Sequence, residues 1–308
     1  MSDLGRVSVV ERDFGEMPQG GDLLDDGRFL CVDVMTGDIV AYAPETGREV
    51  LSRVSSGPIA ILRGSDSAFY IAHTGGVLGD FWVADDRIAP CIQKLSPGQT
   101  SPEIILSEVD GEPVVSAHDI AFGPDGRLYV ADSHIWEWEP TKRTGDGRIF
   151  AINPDGSAAL LVNTGCTFPC GLVVEADGSV VWTEAYSDKV RRLRTDGAVE
   201  DVIQLPAGHT PHGIRVGADG TLWVASFGSS SIDEIAPDGS SLMSHPVPGH
   251  PMHMAFDGDS LLIAAFRAVD EQNMVGQLLR FDTGRPGAVT ARGAIAVRRP
   301  DDPEQGNG

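Results

Sequence analysis

Three residues that can carry protons or bind a metal ion occupy the same place in three similar stretches of this chain. His118 begins HDIAFGPDG, Cys170 begins CGLVVEADG and His212 begins HGIRVGADG. Each stretch is a short apolar run followed by an Asp-Gly turn. Imidazole and thiol groups act as nucleophiles, proton carriers and ligands for borderline metal ions. If equal positions in the repeat become equal positions in space, these three groups converge on one site.

The stretches belong to a repeat that runs through the whole chain. Six copies recur at intervals of about 40 to 60 residues, each with two short apolar runs joined by a turn rich in Asp and Gly. They begin at Gly21, Pro58, Asp119, Gly171, Gly213 and His253. A second hairpin follows each copy, with turns such as NPDG at 153–156 and APDG at 236–239. The sequence therefore predicts an all-β protein, a six-bladed β-propeller with four antiparallel strands per blade.

The repeat leaves no room for a second domain. We expect residues 1–308 to form a single propeller domain, with the last residues, about 300–308, as a flexible tail. A terminal strand usually completes one blade and so closes the ring. Both 5–11 and 293–299 have a suitable apolar pattern, and the sequence leaves the choice between them open.

The charge balance narrows the range of partners. Lys and Arg number 23 against 45 Asp and Glu, which gives a net charge of -22. A basic footprint for nucleic acid is missing, and an anionic membrane surface would repel the chain. The sequence shows neither a long apolar run nor a signal peptide, so we expect a cytoplasmic protein. The expected partner is a small-molecule substrate, and the oligomeric state is left open.

The cysteines do not form a disulfide framework, because four are too few for a chain of 308 residues. Cys31 and Cys91 lie in apolar runs and are expected to be buried free thiols. Cys166 and Cys170 flank TFP, where a disulfide, a pair of metal ligands or two unrelated thiols are all compatible with the spacing.

Aligning the six repeats predicts two rings of side chains at one end of the central channel. The heads of the inner strands are Gln19, Gly57, His118, Cys170, His212 and Met252, with His253 one place further on. The ends of the second strands are Asp33, His73, Asp132, Glu184, Ser226 and Ala265. Cys170 beside His212 is a candidate nucleophile, and His73, Asp132 and Glu184 are candidates for orienting or exchanging protons. The alternative for Asp132 is to bind backbone amides, and for Cys170 to be a small buried apolar group.

Three long connections between second and third strands open at the same end, at 73–87, 133–147 and 266–276. They carry Trp82, Trp136 and Trp138, which are candidate substrate contacts in the wall of a pocket. The alternative is that these rings pack only against their own loops.

The chain resembles the family of senescence marker protein, gluconolactonase and luciferin-regenerating enzyme. The resemblance lies in GEMP at 15–18, HDIAFGPDGRLYVADS, CGLVVEADGS and PHGIRVGADGTLWVAS, and the last of these also resembles the repeat of the streptogramin B lyases. In that family Glu, two Asn and Asp at these heads bind Ca, Zn or Mg. The resemblance implies that Glu16 is a ligand, whereas His118, Cys170 and His212 stand in the other three places.

This replacement changes the metal ion that we expect. Imidazole with one carboxylate suits Zn, Fe, Mn or Cu, whereas Ca prefers oxygen ligands. Glu16, His118 and His212, with His253 as a fourth candidate, make a site for a divalent ion, with Zn, Fe, Mn and Ca considered.

Three hypotheses about function follow. The first is a metal-dependent hydrolase of a lactone or ester. The second is a lyase or isomerase that works by elimination or proton abstraction, and the third is a propeller that binds a ligand without catalysis.

Overall fold

The computed structural model describes residues 4–270 and 273–297, and their regular structure is almost entirely β-strand. Six four-stranded antiparallel sheets succeed one another as blades, which confirms the predicted six-bladed β-propeller. Within these ranges the helices are two short 3-10 turns, Leu4–Arg6 and Pro140–Lys142. Neither turn has the length or the apolar character needed to cross a bilayer.

Strands are numbered in chain order, beginning with β1 (Val7–Gly15), which precedes the first blade. Blade 1 contains β2 (Pro18–Leu23), β3 (Phe29–Asp33), β4 (Asp38–Ala43) and β5 (Gly47–Arg53). Blade 2 contains β6 (Pro58–Arg63), β7 (Phe69–His73), β10 (Cys91–Leu95) and β11 (Glu103–Leu106), with a small hairpin, β8 (Val77–Leu78) and β9 (Trp82–Val83), inserted after β7.

A second small hairpin, β12 (Glu108–Val109) and β13 (Glu112–Pro113), leads into blade 3. Blade 3 contains β14 (Ser116–Phe122), β15 (Leu128–Ser133), β16 (Gly147–Ile152) and β17 (Ala158–Gly165). Blade 4 contains β18 (Pro169–Val174), β19 (Val180–Glu184), β20 (Lys189–Leu193) and β21 (Val199–Gln204). Blade 5 contains β22 (Pro211–Val216), β23 (Leu222–Ser226), β24 (Ser231–Ile235) and β25 (Leu242–Pro246).

Blade 6 is built from both ends of the chain. It contains β26 (His250–Asp257), β27 (Ser260–Ala268) and β28 (Met274–Asp282), and β1 is its outermost strand. Val7 pairs with Phe281 and Gly15 with Gly276, so the closing strand is the N-terminal candidate. Of the other candidate, 293–297 is not a strand, and 298–299 lie outside the described residues, as does the tail at 300–308.

The core lies between the blades. The second strands of blades 1, 3, 4 and 5 are buried along their whole length, because a neighbouring blade covers each face. Such strands read as continuous apolar runs rather than as an alternating pattern. Trp182 and Trp223 are the largest fully buried side chains. In β5, the outermost strand of blade 1, every residue is part-buried or exposed.

Every inner strand has a β-bulge next to its first residues. In blade 3, Ala117 pairs with Asp132 and Asp119 with Ala131, so His118 is the extra residue of the bulge. The register shifts at the same place in the other inner strands, and His212 and Cys170 lie within those irregularities. Because a bulge bends the strand and redirects a side chain, the six bulges turn the strand heads toward the central axis.

A segment at 286–297, the C-terminal strap, crosses the far ends of the inner strands. Its backbone bonds to Val216 and Ala218, and Arg292 donates to the carbonyl oxygens of Leu23 and Arg63. Further along, Ile295 is buried and receives a hydrogen bond from Lys94 Nζ at 2.7 Å. The strap therefore covers the end of the channel opposite to the strand heads.

All four cysteines are free thiols. Cys31 and Cys91 are buried, as expected from their apolar surroundings. Of the two spacing candidates, Cys166 is exposed and Cys170 is buried, and they are not joined by a disulfide.

Candidate functional site

The strand heads form the floor of a cavity of about 310 Å³ at one face of the propeller. His118 and His212 belong to this floor, together with Gln19 and Met252 from the heads of two other blades. The three predicted long connections supply walls, because Phe81, Trp136, Trp138 and Met274 also line the cavity. The fold therefore brings residues that are far apart in the sequence to one cavity.

Two imidazoles and a thiol form a tight cluster at this floor. The ligand atoms of His118, Cys170 and His212 lie within 4.8 Å of one another, and all three residues are buried. The rings of His118 and His212 are 5.0 Å apart. Nδ1 of each ring is buried and has no hydrogen-bond partner in the described part of the chain. Such unpartnered atoms are the groups that a ligand, a water molecule or an ion can satisfy.

Burial keeps both imidazoles of the cluster uncharged at neutral pH. It lowers the pKa of His212 to about 4. The pKa of His118 is also well below its usual value, because of burial and then because of the nearby His212. A neutral ring always carries a nitrogen lone pair, which is the form that binds metal ions and accepts protons.

Cys170 is protonated in this environment. Burial raises the pKa of its thiol, and Sγ donates to the carbonyl oxygens of Phe168 and Pro211 at 3.3 and 3.6 Å. A protonated thiol is a poor nucleophile, so this geometry favours Cys170 as a neutral neighbour or, if it releases its proton to a base or to water when an ion binds, as a ligand.

His253 lies next to the cluster but is not part of the cavity lining. Its ring is 5.8 Å from that of His212 and 6.2 Å from that of His118. His253 Nδ1 donates to Gln19 Oε1 at 2.6 Å, whereas its Nε2 has no hydrogen-bond partner among the residues described. Burial, followed by the two other histidines, keeps the pKa of His253 well below its usual value.

Glu16 lies apart from these groups. Its side chain is exposed and does not line the cavity, and its backbone N–H donates to Asp33 Oδ2 at 2.8 Å. The chain turns here from the closing strand β1 into β2, and this turn brings Met17 and Gln19 to the cavity instead. The structure thus brings together His118, His212 and His253 of the four expected ligands, with Cys170 beside them, whereas Glu16 lies outside this group.

The Asp carboxylates of the predicted second ring bind backbone groups and do not line the cavity. Asp132 accepts hydrogen bonds from the amides of Val115 and Ser116 and from the Arg148 guanidinium. Asp33 likewise accepts hydrogen bonds from the backbone amides of Glu16 and Met17. These carboxylates fix the segments that lead into the inner strands.

His73 and Glu184 also have structural partners. His73 Nδ1 accepts from the amide of Gly75, and its Nε2 lies 3.0 Å from the carbonyl oxygen of Ser55. Glu184 accepts from Trp182 Nε1 and from Ser187 Oγ. Their geometry favours positioning of blades 2 and 4 over contact with a substrate.

The aromatic walls agree only in part with the sequence-based expectation. Trp136 and Trp138 line the cavity with rings 5.1 Å apart in an edge-to-face arrangement. Trp82 instead packs against the core between blades, and its neighbour Phe81 faces the cavity. The β8–β9 hairpin presents one side of its turn to the cavity, and the sequence alone does not specify which side.

Sequence analysis missed three further phenylalanines that line the cavity. Phe227 and Phe266 directly follow the predicted ends of the second strands in blades 5 and 6, so a shift of one place in the alignment would have found them. Phe168 precedes an inner strand and has a φ of 55°, and Thr210 has a φ of 50° at the equivalent place in blade 5. A bulky residue in the left-handed region costs roughly 1–3 kcal/mol, and such strain concentrates at functional sites.

Comparison with known proteins agrees with this architecture. The family model described as SMP-30/Gluconolactonase/LRE-like region matches residues 21–266. The chain belongs to this family. No protein in the curated set matches the chain significantly.

Solved structures with the same fold include enzymes of two kinds. A calcium-binding protein, regucalcin, from Agrobacterium tumefaciens is 18% identical, with a TM-score of 0.70 and coverage of 94% of this chain and 97% of that one. A gluconolactonase from Xanthomonas campestris is 15% identical, with a TM-score of 0.71 and coverage of 92% and 89%. Virginiamycin B lyase from Staphylococcus aureus is 16% identical, with a TM-score of 0.62 and coverage of 88% and 98%. At these identities the likeness shows the fold alone.

Proposed function

We propose that this protein is a hydrolase that cleaves a lactone or ester bond of a small molecule in the cavity. The observation that carries the proposal is the cluster of His118, Cys170 and His212, whose two imidazoles line the cavity floor and have unpartnered Nδ1 atoms. Membership of a family that includes gluconolactonases supports the reaction class. In the reaction, water adds to the carbonyl carbon and the bond to the alcohol oxygen breaks. The departing oxygen takes one proton from water, and a carboxylic acid remains.

The cluster also fits a divalent metal ion. Two neutral imidazoles and a sulfur suit Zn or Fe better than Ca, because Ca prefers a shell of oxygen atoms. His118, Cys170 and His212 would hold the ion, and His253 is the nearest further imidazole. When bound, the ion supplies Lewis acidity toward a carbonyl group and toward water.

The residues of the chain supply the rest. The low pKa of His212 and His118 leaves a lone pair free on each ring at neutral pH. The surrounding apolar side chains exclude bulk water, so that polar interactions within the cavity are stronger than in solution. The C-terminal strap covers the far end of the channel, which leaves the cavity mouth as the route for substrate.

Metal analysis together with a panel of lactones and aryl esters tests this proposal. We expect purified protein to contain near-stoichiometric Zn or Fe, and chelation to abolish hydrolysis. His118→Ala and His212→Ala should each lower activity by roughly 100-fold or more. His245→Ala is the matched control, because His245 lies on β25 and pairs with Glu234 far from the cavity. Full activity in a metal-free preparation would contradict the role of the ion.

A lyase is the second candidate. A variant of virginiamycin B lyase, which has the same fold, is catalytically inactive when one histidine is replaced by alanine. An unpartnered imidazole on the floor of a cavity with apolar walls is equally suited to removing a proton beside a carbonyl group. Products formed in ¹⁸O-labelled water separate the two reactions, since hydrolysis incorporates the label and elimination does not.

The third candidate, a propeller that only binds a small molecule, makes a different prediction. It requires that the histidine variants leave every measured activity at background while a ligand still binds.

A further inference from the structure

The cavity walls are apolar and uncharged. Asp, Glu, Lys and Arg are absent from the described lining, and twelve of its side chains are aliphatic, aromatic or Met. The aromatic members are Phe81, Trp136, Trp138, Phe168, Phe227 and Phe266. A compound that binds here must give up its water without receiving charged partners in return. The walls of the cavity therefore disfavour a charged organic ligand.

Apolar side chains continue from the cavity onto the surrounding surface. Phe81, Trp138 and Met274 are 53%, 54% and 48% exposed, and they come from three different blades. These residues line the cavity while half of each remains in water. A flat apolar ligand would cover them, and covering apolar surface contributes about 25 cal/mol per Å².

A sugar lactone fits this environment poorly. Each of its hydroxyl groups needs a hydrogen-bond partner when it leaves water, and an unpaired one costs roughly 1–3 kcal/mol. The lining supplies polar side chains only from Gln19, Ser116, His118, Thr210, His212 and the Trp136 and Trp138 indoles. These lie mainly on the floor, so the walls cannot satisfy a ring of hydroxyl groups.

One floor residue has the geometry to hold a carbonyl group. Gln19 is fully buried, and its Oε1 accepts a hydrogen bond from His253 Nδ1 at 2.6 Å. Since Oε1 can only accept, His253 Nδ1 carries a proton, and this bond holds the oxygen of the amide toward His253. The amide nitrogen, Nε2, then has no acceptor in the described residues, although the side chain lines the cavity. A buried amide N–H without an acceptor is a site for a ligand oxygen.

We propose that the substrate is an uncharged aromatic ester or lactone. Its ring lies among Phe81, Trp136 and Trp138, and its carbonyl oxygen accepts a hydrogen bond from Gln19 Nε2, while His253 positions the amide. The ester or lactone bond rests on the proposed function. The preference for an uncharged aromatic carbonyl compound rests on the cavity itself.

Binding of compounds that cannot be hydrolysed tests this inference without reference to activity. The probes are 2-tetralone, the carbocyclic analogue of dihydrocoumarin, and tetralin, which has the same rings without the carbonyl group. Calorimetry or quenching of tryptophan fluorescence measures their dissociation constants. We expect Gln19→Met to weaken 2-tetralone binding about tenfold and to leave tetralin binding unchanged. Intact tetralin binding also shows that the variant is folded.

Two matched controls accompany these measurements. Gln93→Met changes another buried Gln, in β10 and away from the cavity, and should leave both dissociation constants unchanged. Phe81→Ala should weaken both probes about fivefold to tenfold, whereas Val83→Ala, on the same hairpin but outside the cavity lining, should not. Equal binding of 2-tetralone by wild type and Gln19→Met would overturn the role of Gln19.

A comparison of lactones separates this inference from the proposed function. We expect dihydrocoumarin to be hydrolysed and glucono-δ-lactone to be neither bound nor hydrolysed. Binding of 2-tetralone without hydrolysis of any ester or lactone would contradict the proposed function and leave the binding preference supported. Hydrolysis of glucono-δ-lactone with no binding of 2-tetralone would overturn the preference while supporting a lactonase.

Discussion

Burial determines the charge of the single residues around the channel. His118, His212 and His253 are kept neutral by loss of contact with water. Asp119, whose Oδ2 is 3.9 Å from His253 Nε2, is affected in the opposite sense. Burial raises its pKa to about 6, and the positive charge of Arg215 only partly offsets this. The three imidazoles are thus uncharged at neutral pH, whereas the Asp119 carboxyl is still mostly ionised at pH 7 and gains its proton near pH 6.

This burial makes the free energy of unfolding depend on pH. An unfolded His212 gains a proton near pH 6.5, but the folded form does so only near pH 4. Below pH 6.5 the unfolded state therefore binds more protons, and stability falls as the pH falls. We expect the wild type to lose about 2 kcal/mol relative to His212→Gln between pH 7 and pH 5.

Urea denaturation of both proteins, each freed of metal ion by chelation, at the two pH values measures this difference. Asp119 acts in the opposite direction, because the folded state is the one that binds its proton more tightly. Its contribution is common to both proteins and cancels in the comparison. Equal losses in wild type and variant would show that His212 is not shielded from water as the structure indicates.

Sequence analysis could locate the floor of the site but not all of its residues. The repeats place His118, Cys170 and His212 at equal positions, and the fold brings equal positions together. Glu16 and Trp82 lie in a turn and a loop. Side chains there do not follow the regular alternation of a strand, so the sequence does not predict which way they point. Gln19 was placed correctly at a strand head, but its role depends on His253, which comes from the opposite end of the chain.

Two features determine where the inner strands begin. One is the β-bulge near the start of each inner strand, and the other is an acidic residue at the end of the neighbouring second strand. A bulge turns each strand head inward, and a carboxylate at the end of the neighbouring strand binds the backbone just before it. Asp132 does this for β14 and Asp33 for β2. The alternation of apolar residues predicts strands but does not reveal a single extra residue, so the sequence left Asp132 open between a catalytic role and the binding of backbone amides.

Replacement of Asp132 distinguishes the two roles. Asp132→Asn removes the negative charge and the carboxylate oxygen that the part-buried Arg148 guanidinium binds, while one oxygen remains for the amides of Val115 and Ser116. We expect the free energy of unfolding to fall by about 2–4 kcal/mol, while turnover by the folded fraction at low temperature stays within about twofold. Thermal denaturation and steady-state kinetics on one preparation give both quantities. Loss of turnover without loss of stability would restore Asp132 as a catalytic group.

The whole molecule is a ring that is covered at one face and open at the other. The strap contacts blades 1, 2, 3 and 5 across the far ends of their inner strands. The apolar pattern of residues 293–299 made this segment one of the two candidates for the closing strand. Ile295 is apolar for a different reason, because it fills the core between blades 2 and 3.

The strap is expected to stabilise the ring. Ile295→Ala removes a buried side chain and should lower the free energy of unfolding by about 2–4 kcal/mol. Val289→Ala on the same segment changes a residue that is 99% exposed and should have an effect below about 0.5 kcal/mol. Urea denaturation of the two variants beside the wild type measures both. Similar effects for the two variants would contradict the buried position of Ile295.

The closing of blade 6 by β1 has a consequence for biosynthesis. Val7 finds its partner Phe281 only after nearly the whole chain has left the ribosome. At about 5–20 residues per second, this delay is on the order of tens of seconds. Throughout it, β1 exposes unpaired backbone groups that other nascent chains could pair with. We therefore expect the yield of this protein to depend more strongly on chaperones during translation than the yield of a propeller in which every blade is formed from consecutive strands.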